Sequence, residues 1–176
     1  MEIVRVVVTG TVGAGKSTFV RTVSETEVVE IERPATDETS ILKEKTTVAF
    51  DFGQLAFGFN RDLHIYGTPG QSRFDFMWDI LIRDAHAYIL LVAADQPSHF
   101  SKAREILSFM SQRVKIPMII GITRKDCPGA QTPEEIMMTL GYMNEKNRPP
   151  VVIVNPNKRT STVEALVVLM GLLISQ

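Results

Sequence analysis

Cysteine is almost absent from this chain: Cys127 is the only one in 176 residues. An internal disulfide is excluded, and a reducing compartment suits the composition. Dense basic runs are missing too. Nineteen Lys and Arg stand against twenty Asp and Glu, for a net charge of −1. That balance speaks against a nucleic-acid binder, which normally shows a basic face. Long hydrophobic runs are also lacking. The most apolar stretch, Ala165–Ile174, has about half the length of a membrane span and reads as a buried helix. Met1-Glu2 offers no myristoylation site, and the C-terminal Leu-Leu-Ile-Ser-Gln has no cysteine to carry a lipid. The first strand-like run starts at Ile3, leaving no room for a signal peptide. A cytoplasmic protein with no direct membrane anchor is expected. No repeat, low-complexity tract or linker interrupts the chain, so residues 1–176 are expected to form one domain. Apolar content of 44% and charged content of 22% are ordinary for a globular protein.

What is present begins at residue 10. Gly10-Thr-Val-Gly-Ala-Gly-Lys-Ser17 follows the apolar run Ile3–Thr9 and fits the phosphate-loop pattern G-x-x-x-x-G-K-[ST]. Gly10, Gly13 and Gly15 allow backbone conformations closed to other residues. Consecutive N–H groups, those of Ala14 and Thr18 among them, can then wrap a phosphate. Lys16 would reach the terminal phosphates as a cation, and Ser17 would offer a hydroxyl to Mg²⁺. A helix starting here adds its positive dipole end.

The remaining pattern is α/β. Strands are expected at Ile3–Thr9, Thr47–Phe57, Arg61–Tyr66, His86–Ala93, Pro117–Ile122 and Val151–Val154. Helices are expected at Lys16–Ser24, Phe74–Arg83, Ser98–Arg113, Thr132–Leu140 and Thr160–Ile174, with Pro133 as a start signal in the fourth. Only the second and third strands lie close enough for a hairpin, through Gly58 and Asn60. Hence the expected fold is a three-layer sandwich: a mostly parallel six-stranded sheet with one antiparallel edge strand and helices on both faces. Its ligand should sit at the carboxyl ends of the strands. Residues 25–46, rich in Glu, Thr and Asp, show no clean periodicity and read as a functional loop.

Three further motifs follow in order. Glu44-Lys45-Thr46-Thr47 leads into the second strand, Tyr66-Gly67-Thr68-Pro69-Gly70-Gln71 ends the third, and Thr123-Arg124-Lys125-Asp126 follows the fifth. With the phosphate loop they resemble the small Ras-like GTPases of the P-loop NTPase superfamily, in particular the bacterial and archaeal ones labelled ATP/GTP-binding proteins. The resemblance covers nearly the whole chain. It implies a guanine-nucleotide-binding switch that hydrolyses GTP slowly, with Mg²⁺ as cofactor and GTP or GDP as ligand. Thr47, rather than Thr46, would bind Mg²⁺ through its hydroxyl beside Ser17 and contact the γ-phosphate through its N–H. Gly70 would donate its N–H to the γ-phosphate, and Gln71 would orient the attacking water while Lys16 stabilises the phosphates. Asp126 would accept hydrogen bonds from the guanine ring N–H and amino group, a donor pair adenine lacks. Arg124 would stack on the base. Asn155-Pro156-Asn157 stands where the family has a short base-contact loop. A protein effector or activator would read residues 30–47 and 67–80.

The pattern also departs from the family. Gly67 stands where an aspartate normally supports Mg²⁺ through water; Asp51 and Asp37 are the substitutes on offer. Val12 lies where glycine leaves most room for the glutamine and an inserted arginine. Thr123 and Arg124 replace the usual Asn and Lys. Two other readings therefore stay open: a nucleotide-binding interaction module with little turnover, and a P-loop kinase of small metabolites, for which no Arg-rich lid is visible. Arg73, two residues past Gln71, could approach the γ-phosphate, but a solvated loop arginine is the expectation. Met77 and Trp78, in the aromatic-rich stretch after Gln71, are expected in the core more than at an interface. Cys127 is expected to be a packed small residue.

Overall fold

A computed structural model of the chain describes residues 1–34, 47–69 and 75–176. Thr46, Asp37, Gly70, Gln71, Arg73 and Phe74 lie outside the described residues. Among those described, seven strands form one sheet: β1 (Glu2–Gly10), β2 (Val29–Pro34), β3 (Thr47–Phe57), β4 (Arg61–Gly67), β5 (Ala87–Ala93), β6 (Met118–Thr123) and β7 (Val151–Ile153). Their order is β2-β3-β4-β1-β5-β6-β7. Helices α1 (Lys16–Val23), α2 (Asp75–Arg83), α3 (Phe100–Arg113), α4 (Pro133–Thr139) and α5 (Arg159–Ile174) cover its two faces.

β1 is the centre of the sheet, parallel to β4 on one side and β5 on the other. Its valines alternate between two cores, as side-chain direction in a strand requires. Val4, Val6 and Val8 pack with Phe19, Val20, Leu166 and Leu169 of α1 and α5. Val7 joins Trp78, Ile82, Ile106 and Ile136 of α2, α3 and α4 on the opposite face. β5 is buried along its whole length, which explains its unbroken apolar sequence. Helix α4 starts on a full capping box: Thr132 accepts from the Glu135 N–H, the Glu135 carboxylate accepts from the Thr132 N–H, and Pro133 takes N1.

All six expected strands are present, and β3 is the antiparallel member, paired with β4 through the turn at Gly58. The seventh strand was not expected. Val29–Pro34, read from sequence as loop, pairs antiparallel to β3 from Val29↔Phe52 to Pro34↔Thr47. β3 is thereby an inner strand and β2 the edge. A six-residue strand ending in proline carries little periodicity of its own; its hydrogen bonds come from β3, and proline is tolerated at an edge.

Candidate functional site

At the carboxyl end of β1 the chain turns through Thr11–Gly15 into α1. Two glycines are dictated by what surrounds them. A Cβ at Gly10 would run into the Leu91 carbonyl oxygen, and one at Gly15, where φ is +104°, would lie 2.8 Å from Pro156 Cγ. The loop is thus clamped between β5 and the segment after β7. Ala14 is buried, and its carbonyl accepts from the Thr123 hydroxyl at 2.8 Å. That bond ties the end of β6 directly to the phosphate loop.

Lys16 is 8% exposed and its ammonium donates to the Thr11 carbonyl at 2.6 Å. Burial depresses its pKa from 10.5 to about 8, with the Asp51 carboxylate acting in the opposite sense. A buried cation held by one carbonyl is a ready partner for an anion in the loop.

Ser17 is exposed, and its hydroxyl donates to Asp51 Oδ2 at 2.5 Å. Asp51 lies directly across from Gly67 in the β3–β4 register. A Cβ built on Gly67 would stand 3.5 Å from Asp51 Cβ and 3.6 Å from its Oδ2. The Asp51 carboxylate therefore stands beside the position of residue 67, on the neighbouring strand. A serine hydroxyl beside a carboxylate is a hard-oxygen pair of the kind Mg²⁺ takes alongside phosphate oxygens, so these residues fit the ion. Thr47 stands apart: it opens β3 opposite Pro34, roughly 13 Å along the strand from Asp51 at ~3.3 Å per residue. Thr68, beyond β4, is buried and donates to the Thr9 hydroxyl at 3.0 Å. Its neighbour Pro69 accepts a hydrogen bond from the Trp78 indole N–H. Trp78 and Met77 are core residues, as expected. Val12 is half exposed on the phosphate loop; Gly70 and Gln71, which it would face, are outside the described residues.

The third part of the site is a cavity of about 550 Å³ lined by Arg124, Asp126, Cys127, Val154, Asn155 and Pro156 among others. Asp126 is exposed there, and Asn155 accepts from the Asn157 N–H to shape the far wall. Arg124 holds a left-handed backbone, φ +57°, and its guanidinium makes a bidentate pair with Asp95 at 2.8–3.0 Å. Those hydrogen bonds hold the Asp95 carboxyl below its usual range. Sequence reading did not single out Asp95; its signal was an aspartate just past the carboxyl end of a buried strand, where ligands sit in such sheets. Gln96, next in the chain, was also missed. Its Oε1 is buried without a partner and lies against Gly13, 3.9 Å from a Cβ built there.

The phosphate loop, Ser17, Asp51, Thr123, Arg124, Asp126 and Asn155–Pro156 are thus contiguous at one edge of the sheet. No helix among the described residues is long and apolar enough to cross a membrane.

A family model described as "Conserved hypothetical ATP binding protein" matches residues 26–172. An uncharacterized protein of Methanocaldococcus jannaschii is 28% identical over 131 residues, 74% of this chain and 76% of that one. An intraflagellar transport protein 22 homolog of Xenopus tropicalis is 26% identical over 99 residues, 56% of this chain and half the length of that relative. Among solved structures, the Arl6 BBS3 small GTPase from Trypanosoma brucei with bound nucleotide analogue GppNp superposes with a TM-score of 0.73 at 17% identity, covering 99% of both chains. The fold is that of a small Ras-like P-loop GTPase, as the motifs implied.

Proposed function

The chain belongs to the family of conserved hypothetical ATP-binding proteins, and from that premise we propose that it is a guanine-nucleotide switch that hydrolyses GTP slowly. The observation that carries this reading is the junction of Gly15 with Pro156 and of Ala14 with Thr123. A triphosphate would lie in the loop, with its base in the adjoining cavity that presents Asp126. The family description mentions ATP, but the chemistry of this cavity favours guanine. A carboxylate offers two acceptors to the guanine N1–H and amino group, whereas adenine presents an unprotonated ring nitrogen to it.

Lys16 would hold the β- and γ-phosphates. Ser17 and Asp51 would hold Mg²⁺, Asp51 taking over the supporting role that Gly67 cannot play. The bound ion would neutralise charge on the phosphate oxygens. Gly70 and Gln71 would position the γ-phosphate and the attacking water. Thr47 has a different part. Its pairing with Pro34 keeps it far from Ser17, so reaching the γ-phosphate requires that end of the β2–β3 pair to part. A γ-phosphate that recruits Thr47 is then coupled to the fate of β2, which is what a switch needs. Residues 30–47 and 67–80 would be the surface an effector or activator reads. The half-exposed Val12 favours a second reading, a nucleotide-binding module with little turnover.

Titration with GTP, GDP and ATP, with and without Mg²⁺, tests the main reading. GTP and GDP should bind at least tenfold more tightly than ATP; equal affinities would sink it. Asp51→Ala should cut the Mg²⁺ dependence of nucleotide release roughly 10- to 100-fold, and adding Gly67→Asp to that variant should restore it. Phosphate release slowed by Gln71→Leu supports hydrolysis, and an unchanged basal rate favours the low-turnover module.

A further inference from the structure

The base cavity has a wall whose position is set from behind. Arg124 lines it beside Asp126 and Pro156. Asp95 is not among the lining residues, yet its carboxylate takes two nitrogens of the Arg124 guanidinium, Nε at 2.8 and 3.0 Å and Nη2 at 2.9 Å. The Asp95 side chain is 11% exposed while Arg124 remains 47% exposed. The anchor is therefore sheltered and the plate it holds is open to a ligand. Arg124 also departs from ordinary backbone geometry, with φ +57° in a residue that is not glycine. Such a conformation persists where the surroundings over-determine it, and here the fork-to-fork pair is what fixes the side chain.

From these observations we infer that Asp95 is a positioning residue for the nucleobase: it holds the Arg124 guanidinium as a preformed stacking surface against one face of a bound purine. The inference rests on the nucleotide-site reading above. A planar guanidinium stacks on an aromatic face, and base stacking is indifferent to the edge substituents of the base. Ordering a long, rotamer-rich side chain at binding costs affinity; the Asp95 pair removes that cost beforehand. It also keeps the Arg124 charge occupied, so that the Asp126 oxygens stay free for the base edge. The division of labour is specific: Asp126 reads which purine is present, and Asp95, through Arg124, sets how tightly any purine is held.

The test is calorimetric titration of the full chain with GDP and with IDP, whose hypoxanthine base lacks the amino group. Asp95→Ala should weaken both nucleotides by the same factor, roughly three- to tenfold, the cost of immobilising one such side chain. Asp95→Glu should recover part of the loss. In an Arg124→Ala background, Asp95→Ala should add nothing, because its partner is gone. Thermal melts of the nucleotide-free variants report whether the fold itself has suffered. An unchanged GDP affinity in a folded Asp95→Ala variant overturns the inference while leaving the nucleotide reading intact. So does a change in the GDP-to-IDP ratio, which would mean that Asp95 acts on edge recognition. Failure of the unaltered protein to bind either nucleotide overturns both.

Discussion

Raising the pH from 7 to 8.5 should weaken nucleotide binding about fourfold, through Lys16. Its pKa is depressed to about 8 by burial. At pH 7 about nine in ten molecules carry the charge; at pH 8.5 about one in four does. A bound polyphosphate stabilises the ammonium, so the complex keeps the proton. Binding at pH 8.5 must then take up about three-quarters of a proton, against about a tenth at pH 7. Calorimetry in buffers of different ionisation enthalpy measures that uptake directly. Because Asp51 raises the Lys16 pKa, Asp51→Asn should move the break to lower pH. The same group acts on stability with a definite sign. Between pH 8 and 10.5 the unfolded chain holds the Lys16 proton more tightly than the folded one, so nucleotide-free stability rises with pH there. The rise totals about 3 kcal/mol at ~1.4 kcal/mol per pH unit and should be missing from Lys16→Met. Flat affinity from pH 7 to 8.5, with no proton uptake, would refute the reasoning.

Gly15→Ala should destabilise the protein by about 1–3 kcal/mol and weaken nucleotide binding, since the new Cβ meets Pro156 at 2.8 Å with φ at +104°; thermal melts and titration check it. Thr132→Ala breaks the capping box of α4 and should cost about 1 kcal/mol in urea unfolding, with nucleotide affinity unchanged because α4 is not part of the site. Trp78→Phe removes the hydrogen bond to the Pro69 carbonyl; it should cost about 1 kcal/mol and speed amide exchange at Thr68.

What the sequence revealed and what it hid follow from the range of the interactions. The phosphate loop was legible because its chemistry is contiguous: Gly10 to Ser17 must all lie on one turn. Asp126 was legible because its motif closes a buried strand. The nearness of Asp51 to Gly67 was open only as a possibility, since it depends on the β3–β4 register that sets the two residues opposite each other. Asp95 and Arg124 lie 29 residues apart, joined only because β5 and β6 are neighbours in the sheet. β2 escaped notice because the hydrogen bonds that define it belong to its pairing with β3. The expectation that Thr47 joins Ser17 at an ion came from the family pattern; the pairing of Thr47 with Pro34 belongs to the β2–β3 register, which the local sequence does not show.

Asp126→Asn tests the central claim, recognition of guanine at the Asp126 cavity, most directly. An asparagine amide still accepts from the ring N–H but now donates where the guanine amino group also donates, whereas xanthine presents a carbonyl there. Titrated side by side, the unaltered protein should prefer GDP over XDP and the variant should prefer XDP over GDP. If both proteins bind the two nucleotides in the same ratio, Asp126 does not read the base and the account is wrong at its centre.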